Sequence, residues 1–226
     1  MTYPVIIDNM MNLELLTCAS KLFGRKDWMD IAVSHARTTM KNHFREDYSS
    51  YHLVDYNPVD GSVVKKMTVQ GYADDSAWSR GQSWGLYGFT MMYRETGLEE
   101  FLDQAEHIAS YLMPRLASRP VPAWDFDADE SSINQDDASA AAVMASAFVE
   151  LSTLTKDSAA SKAYLAQAKK IIGALSSPEY LAETGGSGCF LIKHCTGFYK
   201  KHSQVDVPLS YADYYFMEAL WRLKRL

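Results

Sequence analysis

The sequence predicts an all-α fold built from helical hairpins, with long and partly β-rich connections. Three observations lead there. Seven stretches carry apolar residues at helical spacing. They alternate in character: those opening at Asp8, Asp75, Asp137 and Ser210 are apolar or rich in glycine and alanine, whereas those opening at Asp27, Glu99 and Asp157 carry one charged face. Successive antiparallel helices put every second one in the same direction, so inner and outer rows alternate, the pattern of an α/α barrel or a helical solenoid. The 226 residues suffice for one large core and read as a single domain over 1–226.

In chain order, Met10, Leu13, Leu16, Ala19 and Leu22 or Phe23 mark the first helix, which Gly24 stops. The residues before it read as interior structure. Trp28, Ile31, Ala32, Ala36 and Met40 mark the second helix, fading by Phe44. Residues 51–56 and 63–69 are β-rich and punctuated by Asn57-Pro58 and Asp60-Gly61, which predicts a small hairpin between helices. The third helix opens at Asp75 or Ser76 as a cap and runs to about Tyr93, with Gly97 as its stop. Gly81, Gly85 and Gly88 share one side of it and call for close approach by a helix or a ligand. Glu99 to Leu116 is the fourth helix. A loop holding Trp124 and several aspartates leads to Asp136-Asp137, which caps an alanine-rich helix thin enough to be buried all round. Asp157 to Leu175 is amphipathic, Cys189 to His194 reads as a short strand followed by a polar loop, and the last helix runs from about Ser210 to Leu223. Because inner helices run in parallel, their N-terminal ends share one rim. Asp8, Asp74, Asp75, Asp136, Asp137 and Ser210 are expected there, overhung by the hairpin and by the Trp124 and His194 loops.

Hydrophobic residues make up 47% of the chain and charged ones 22%, the balance of a globular protein rather than a disordered one. A net charge of −6 with mixed signs argues against nucleic acid and gives no membrane-surface signal. The apolar runs fall far short of a membrane span. No basic n-region or signal-peptide core opens the chain, and localisation stays open between cytoplasm and periplasm. Cys18 reads as core, and Cys189 and Cys195 fit no zinc spacing. No metal or cofactor is expected.

Four segments carry a resemblance: Asp8-Asn9-Met10-Met11-Asn12-Leu13; the 71–88 stretch with its Asp-Asp-Ser-x-Trp-x-Arg-Gly-Gln-x-Trp core; Asn134-Gln135-Asp136-Asp137-Ala138-Ser139-Ala140-Ala141; and Val205 to Phe216. Together they resemble glycoside hydrolase family 88, the unsaturated glucuronyl hydrolases, over nearly the whole chain. The resemblance implies an (α/α)6 barrel of six inner and six outer helices, N-terminally incomplete here with seven of the twelve. It implies release of a 4,5-unsaturated uronic acid from the non-reducing end of lyase-generated oligosaccharides, by hydration of a vinyl ether. An acid protonates C4, water adds at C5, and the hemiketal opens and frees the next sugar, unlike the usual two-carboxylate scheme. The family's general acid and base falls on Asp8. A second family aspartate, which binds the sugar ring, lies upstream of this motif and has no counterpart in the chain.

Each candidate has a plainer reading beside the functional one. Asp8 alone would be a helix N-cap; within its motif it is the acid/base, with a pKa raised by burial beside indole rings. His52 alone would be an ordinary strand histidine; it and Gln70 match substrate contacts of the family. Trp78 and Trp84 could be core, or a flat apolar platform for a sugar ring. Arg80 could bridge a neighbouring aspartate, or pair with a uronate carboxylate. Trp124 could floor an outer sugar subsite or cover the barrel end, and His194 is the better substrate contact of the two histidines in the last loop. The competing reading, a helical-hairpin interaction scaffold, lacks a fixed repeat period and does not need the Trp/Arg/Gln cluster. An inactive remnant is the other alternative. A broken barrel edge would favour self-association.

Overall fold

A computed structural model describes residues 2–226. Its first element is a short strand, β1 (Tyr3–Ile6), followed by helices α1 (Asn9–Phe23) and α2 (Lys26–Asn42). Strands β2 (Leu53–Tyr56) and β3 (Val63–Met67) come next, then α3 (Ser79–Thr96) and α4 (Glu99–Arg115). Helices α5 (Ala138–Leu154) and α6 (Ser158–Leu175) precede a second hairpin, β4 (Cys195–Phe198) and β5 (Ser203–Val207), and the chain closes on α7 (Ser210–Lys224).

The inner row is α1, α3, α5 and α7, each packed on the next, with α2, α4 and α6 behind it. From Ser79 to Met92 every residue of α3 is buried, and α5 is buried from Ala138 to Val149. Small side chains make α5 thin enough for three neighbours to reach it at once. Helices α1 and α7 end the row and are inner on one side only. On α1 the buried stripe is Met10, Leu13, Thr17 and Ser20, while Leu15 and Leu22 face outward at 78% and 74% exposure. Cys18, expected in the core, is exposed on that same open side. On α7, Tyr214, Met217 and Trp221 are likewise more than half exposed.

The expected hairpin is a three-stranded antiparallel sheet in the order β1-β2-β3. β1 contributes the unforeseen strand. Tyr3 pairs with Tyr56 and Ile6 with Leu53, so these first residues form a sheet edge, not interior structure. The proposed caps of α3 also differ. Asp125 takes the Tyr72 amide and the Ser76 hydroxyl, and Asp127 takes the Ala77 amide. These bonds hold 71–77 as a turn, leave Trp78 extended, and delay the helix to Ser79. Cys189 to His194 is not a strand: Ser187, Cys189 and His194 have positive φ, Ile192 makes a single isolated bridge to Leu181, and the paired strand begins at Cys195.

The three glycines of α3 answer to close neighbours: Trp78 and Ile7 at Gly81, Phe44 and Ile108 at Gly85, and Met10 of α1 at Gly88. A Cβ on Gly88 would lie 2.5 Å from the Met10 Cβ and 3.0 Å from its carbonyl carbon. Alanine gains about 1 kcal/mol of helix propensity, but backbone cannot swing aside as a side chain can. Gly88→Ala is expected to destabilise by about 1–3 kcal/mol net. Gly173, exposed on α6 with nothing within 4 Å of its would-be Cβ, is the contrast. There alanine is expected to stabilise by up to about 1 kcal/mol, and thermal melts of the two variants should move in opposite directions.

Candidate active site

The N-terminal ends of the four inner helices meet. Asp8 precedes α1, Arg80 lies in the first turn of α3, Asp137 caps α5, and Tyr211 lies in the first turn of α7 with its ring 5.6 Å from the Arg80 guanidinium. β1 brings Asp8 to His52. The Ile6–Leu53 pairing continues into a 2.9 Å bond from the Ile7 amide to the His52 carbonyl, and Asp8 is the next residue.

Asp8 makes no side-chain cap, although it occupies the cap position. Its carboxyl is therefore not committed to the helix. Its Oδ2 is buried without a hydrogen-bond partner, 3.9 Å from the His52 Nε2, while the side chain as a whole keeps 22% exposure. Burial pushes its pKa above the ordinary carboxylate value, opposed by the charge of Arg80. The Trp84 indole N–H has no partner at full hydrogen-bond geometry, yet lies near enough to favour the ionised carboxyl as well. His52 is pulled down to about 3, chiefly by burial and then by Arg80, so its ring is neutral.

A raised pKa also has a stability consequence. Folding holds the Asp8 proton more tightly than the unfolded chain does, so this contribution is intact below the unfolded value and is lost as pH rises through the folded one. Asp8→Asn removes the penalty. Its melting temperature is expected to exceed that of the native chain near pH 7 and to converge with it near pH 4, by about 1.4 kcal/mol for each pKa unit of displacement.

Arg80 is 2% exposed, and both terminal nitrogens of its guanidinium are hydrogen-bonded within the protein. Nη1 donates to Asp137 Oδ2 and to the Thr196 carbonyl at 2.5 Å, and Nη2 to the Gly197 carbonyl at 2.7 Å. It binds the β4–β5 hairpin to the rim and reaches Asp8 through its field, and its bond to Asp137 is the aspartate bridge of its plainer reading. Trp78 is enclosed too, with His52 at 4.6 Å and Arg80 at 4.5 Å from its rings, and so offers no open platform. Trp84 is 3% exposed. The Gln70 side chain donates to the Gly197 carbonyl at 2.8 Å, a second tether on the same hairpin.

Asp8, His52, Gln70, Trp78, Arg80 and Trp84 thus form one cluster. Trp124 borders it, 1% exposed beneath the ring of Tyr199 at 4.6 Å. That favours the covering role over the subsite floor. His194 stands apart, with Nδ1 2.5 Å from Asp206 and its ring edge-on to Tyr180. Of the rim aspartates, Asp136 turns to Arg119 and Tyr180, and Asp74 to the Thr68 amide. Sequence reasoning missed Tyr211 and the role of Asp137 as counter-ion to Arg80, although both lie in motifs it quoted. It had no access to the Thr196 and Gly197 carbonyls, because backbone groups leave no residue signature.

A concavity of about 890 Å³, lined by Tyr3, Ile31, His35 and Tyr56 among others, contains none of this cluster. Among the described residues, no group of three or more His, Cys, Asp or Glu could hold a metal ion, and no helix is long and apolar enough to cross a membrane.

No protein-family model matches the chain. An unsaturated glucuronyl hydrolase of Formosa agariphila is 45% identical over 226 residues, covering 99% of this chain and 56% of that protein. The chain is thus similar over nearly its whole length to unsaturated glucuronyl hydrolases. A crystal structure of such a hydrolase, described as specific for heparin, superposes with a TM-score of 0.94 at 48% identity, covering 99% of this chain and 61% of the other. Another hydrolase structure, described with dGlcA-Glc-Rha-Glc, has a TM-score of 0.90 at 31% identity, covering 98% and 59%. The fold is therefore that of the unsaturated glucuronyl hydrolase (α/α)6 barrel, with small antiparallel hairpins at its mouth. The chain spans about half the length of the curated relatives it matches.

Proposed function

We propose that this chain carries the proton-transfer centre of an unsaturated glucuronyl hydrolase, a glycosidase that releases 4,5-unsaturated uronic acid from the non-reducing end of lyase-generated oligosaccharides. The observation that carries this reading is Asp8: a carboxyl at a helix start, free of capping, with a raised pKa, set among indole and imidazole N–H groups. A carboxylic acid kept protonated toward neutral pH can donate to carbon. In the proposed reaction Asp8 gives its proton to C4, and the electron pair of the C4–C5 double bond forms the new C–H bond. The cation left at C5 is stabilised by the ring oxygen. Water adds at C5 and returns its proton to the Asp8 carboxylate. The hemiketal then opens, and the next sugar leaves with its glycosidic oxygen. His52 and Trp84 flank the carboxyl, and Arg80 and Gln70 fix the hairpin over it. No step requires a metal.

The scaffold alternative has no use for a buried, unpartnered carboxyl. The substrate class is tested by incubating the chain with unsaturated disaccharides from chondroitin, hyaluronan and heparin lyase digests and following the unsaturated-uronate absorbance. Loss of the band with at least one source supports the reading, and its persistence with all three contradicts it. We also expect the exposed apolar edges of α1 and α7 to drive self-association, which sedimentation velocity would report as a concentration-dependent mass, reduced by Leu15→Lys with Trp221→Lys.

A further inference from the structure

His52 faces Asp8 with only one of its two nitrogens, and the other is held by backbone. The Val69 and Gln70 amides donate to Nδ1 at 3.0 and 3.1 Å. The Thr68 hydroxyl lies 3.3 Å from the same atom. A nitrogen that accepts from two N–H groups cannot carry a proton, so in the neutral ring the proton sits on Nε2. Nε2 has no other partner, and neither does the Asp8 Oδ2 opposite it.

The amides point this way because residues 68–71 form a tight turn. The Gly71 amide donates to the Thr68 hydroxyl at 2.8 Å, and the Thr68 amide donates to Asp74 at 2.9 Å. Gly71 has to be glycine here, since a Cβ would lie 2.6 Å from the Thr68 hydroxyl oxygen and 3.2 Å from the Trp78 Cβ. We infer that the Thr68–Gly71 turn is a tautomer clamp: it keeps the His52 proton on Nε2, aimed at the buried oxygen of Asp8, and makes Thr68 a positioning residue.

The consequence for the carboxyl follows from donor and acceptor matching, and rests on the reading of Asp8 as proton donor. With an N–H facing Oδ2, the acid proton must ride on Oδ1, the oxygen left with the side chain's exposure. In the opposite tautomer Nε2 would offer a lone pair. The proton would settle on Oδ2 between two buried groups and be withheld from substrate. Burial keeps His52 uncharged, with Arg80 and His43 acting in the same direction, so Asp8 meets a neutral donor rather than a cation.

The test is long-range 1H–15N NMR of the imidazoles in the full chain, with His52→Gln identifying the signal. The expected wild-type spectrum is the Nε2–H tautomer. Thr68→Val keeps the shape and removes the hydroxyl; it is expected to give a mixed-tautomer signal and to lower kcat about tenfold with KM unchanged. Thr68→Ser is expected to restore both. An Nδ1–H tautomer in the wild-type chain, or a Thr68→Val spectrum identical to wild type, would overturn the clamp. The wild-type spectrum decides even if Thr68→Val fails to fold. An Nε2–H spectrum that Thr68→Val disrupts, in a chain that leaves the uronate band untouched, would uphold the clamp and remove the reading of Asp8.

Discussion

Asp8→Asn should lower kcat on an unsaturated disaccharide by about 10²–10⁴-fold, the usual scale of a positioned general acid, while leaving the fold intact. The amide has the size of the carboxyl but cannot give a proton to carbon or take one from water. Nothing in the helix depends on the charge, because Asp8 makes no side-chain cap and its buried oxygen has no hydrogen-bond partner. Burial disfavours the ionised group, so the variant is also expected to melt at a higher temperature at neutral pH. Loss of rate with gain of stability separates a catalytic carboxylate from a structural one. Steady-state kinetics and a thermal melt on the same preparation would check it. A fall in both quantities would assign Asp8 to the scaffold.

Asp137→Asn should have the opposite profile, destabilising by about 3–5 kcal/mol and lowering Tm by about 10 °C or more. Asp137 is fully buried, and all its contacts are used. One oxygen faces Arg80, and the other accepts from the Ser139 amide and hydroxyl and from the Thr196 amide. Removing the charge strands the Arg80 cation at 2% exposure between Trp78 and Tyr211. It also loosens the attachment of β4 to the rim. A surface pair gives the scale for comparison. Lys26 and Asp30 are both largely solvent-exposed, and Asp30→Ala should cost no more than about 1 kcal/mol. Differential scanning calorimetry of the two variants would show the contrast, and equal effects would contradict the assignment of Arg80 and Asp137 as a buried anchor.

The row of helices was legible because burial imposes its own spacing. Alanine at 140, 141, 142, 145 and 147 and glycine at 81, 85 and 88 mark helices that others approach closely, and α5 and α3 are the two buried helices. The parallel inner row followed from alternation alone, and with it a shared rim for Asp8 and Asp137. What escaped was set by tertiary contacts. β1 is four residues long and is a strand only because β2 lies beside it, so its pattern carried no periodicity to read. Asp75 and Ser76 look like caps, but Asp125 and Asp127, some fifty residues away, capture the amides and hydroxyl of that segment. Local preference lost to carboxylates brought in by another loop, of which Asp125 is fully buried and needs donors. Cys18 and Leu22 fit a helical core pattern and yet face outward, because α1 has inner neighbours on one side only. Residue type alone left two readings for Arg80 and for Trp78, for a related reason. Residue type allowed contact with a ligand, whereas nearby carbonyls, Asp137 and each other had already claimed them.

The central claim is that Asp8 protonates C4 of a vinyl ether, and following one reaction by two signals tests it most directly. The chain is mixed with an unsaturated disaccharide, and the unsaturated-uronate absorbance is recorded while the released sugar is measured in the same samples. Hydration destroys the double bond before the sugar leaves. The expected result is loss of absorbance that matches or precedes sugar release, and loss of both with Asp8→Asn. Sugar release with the band intact would mean direct displacement at the anomeric carbon, and would contradict the account.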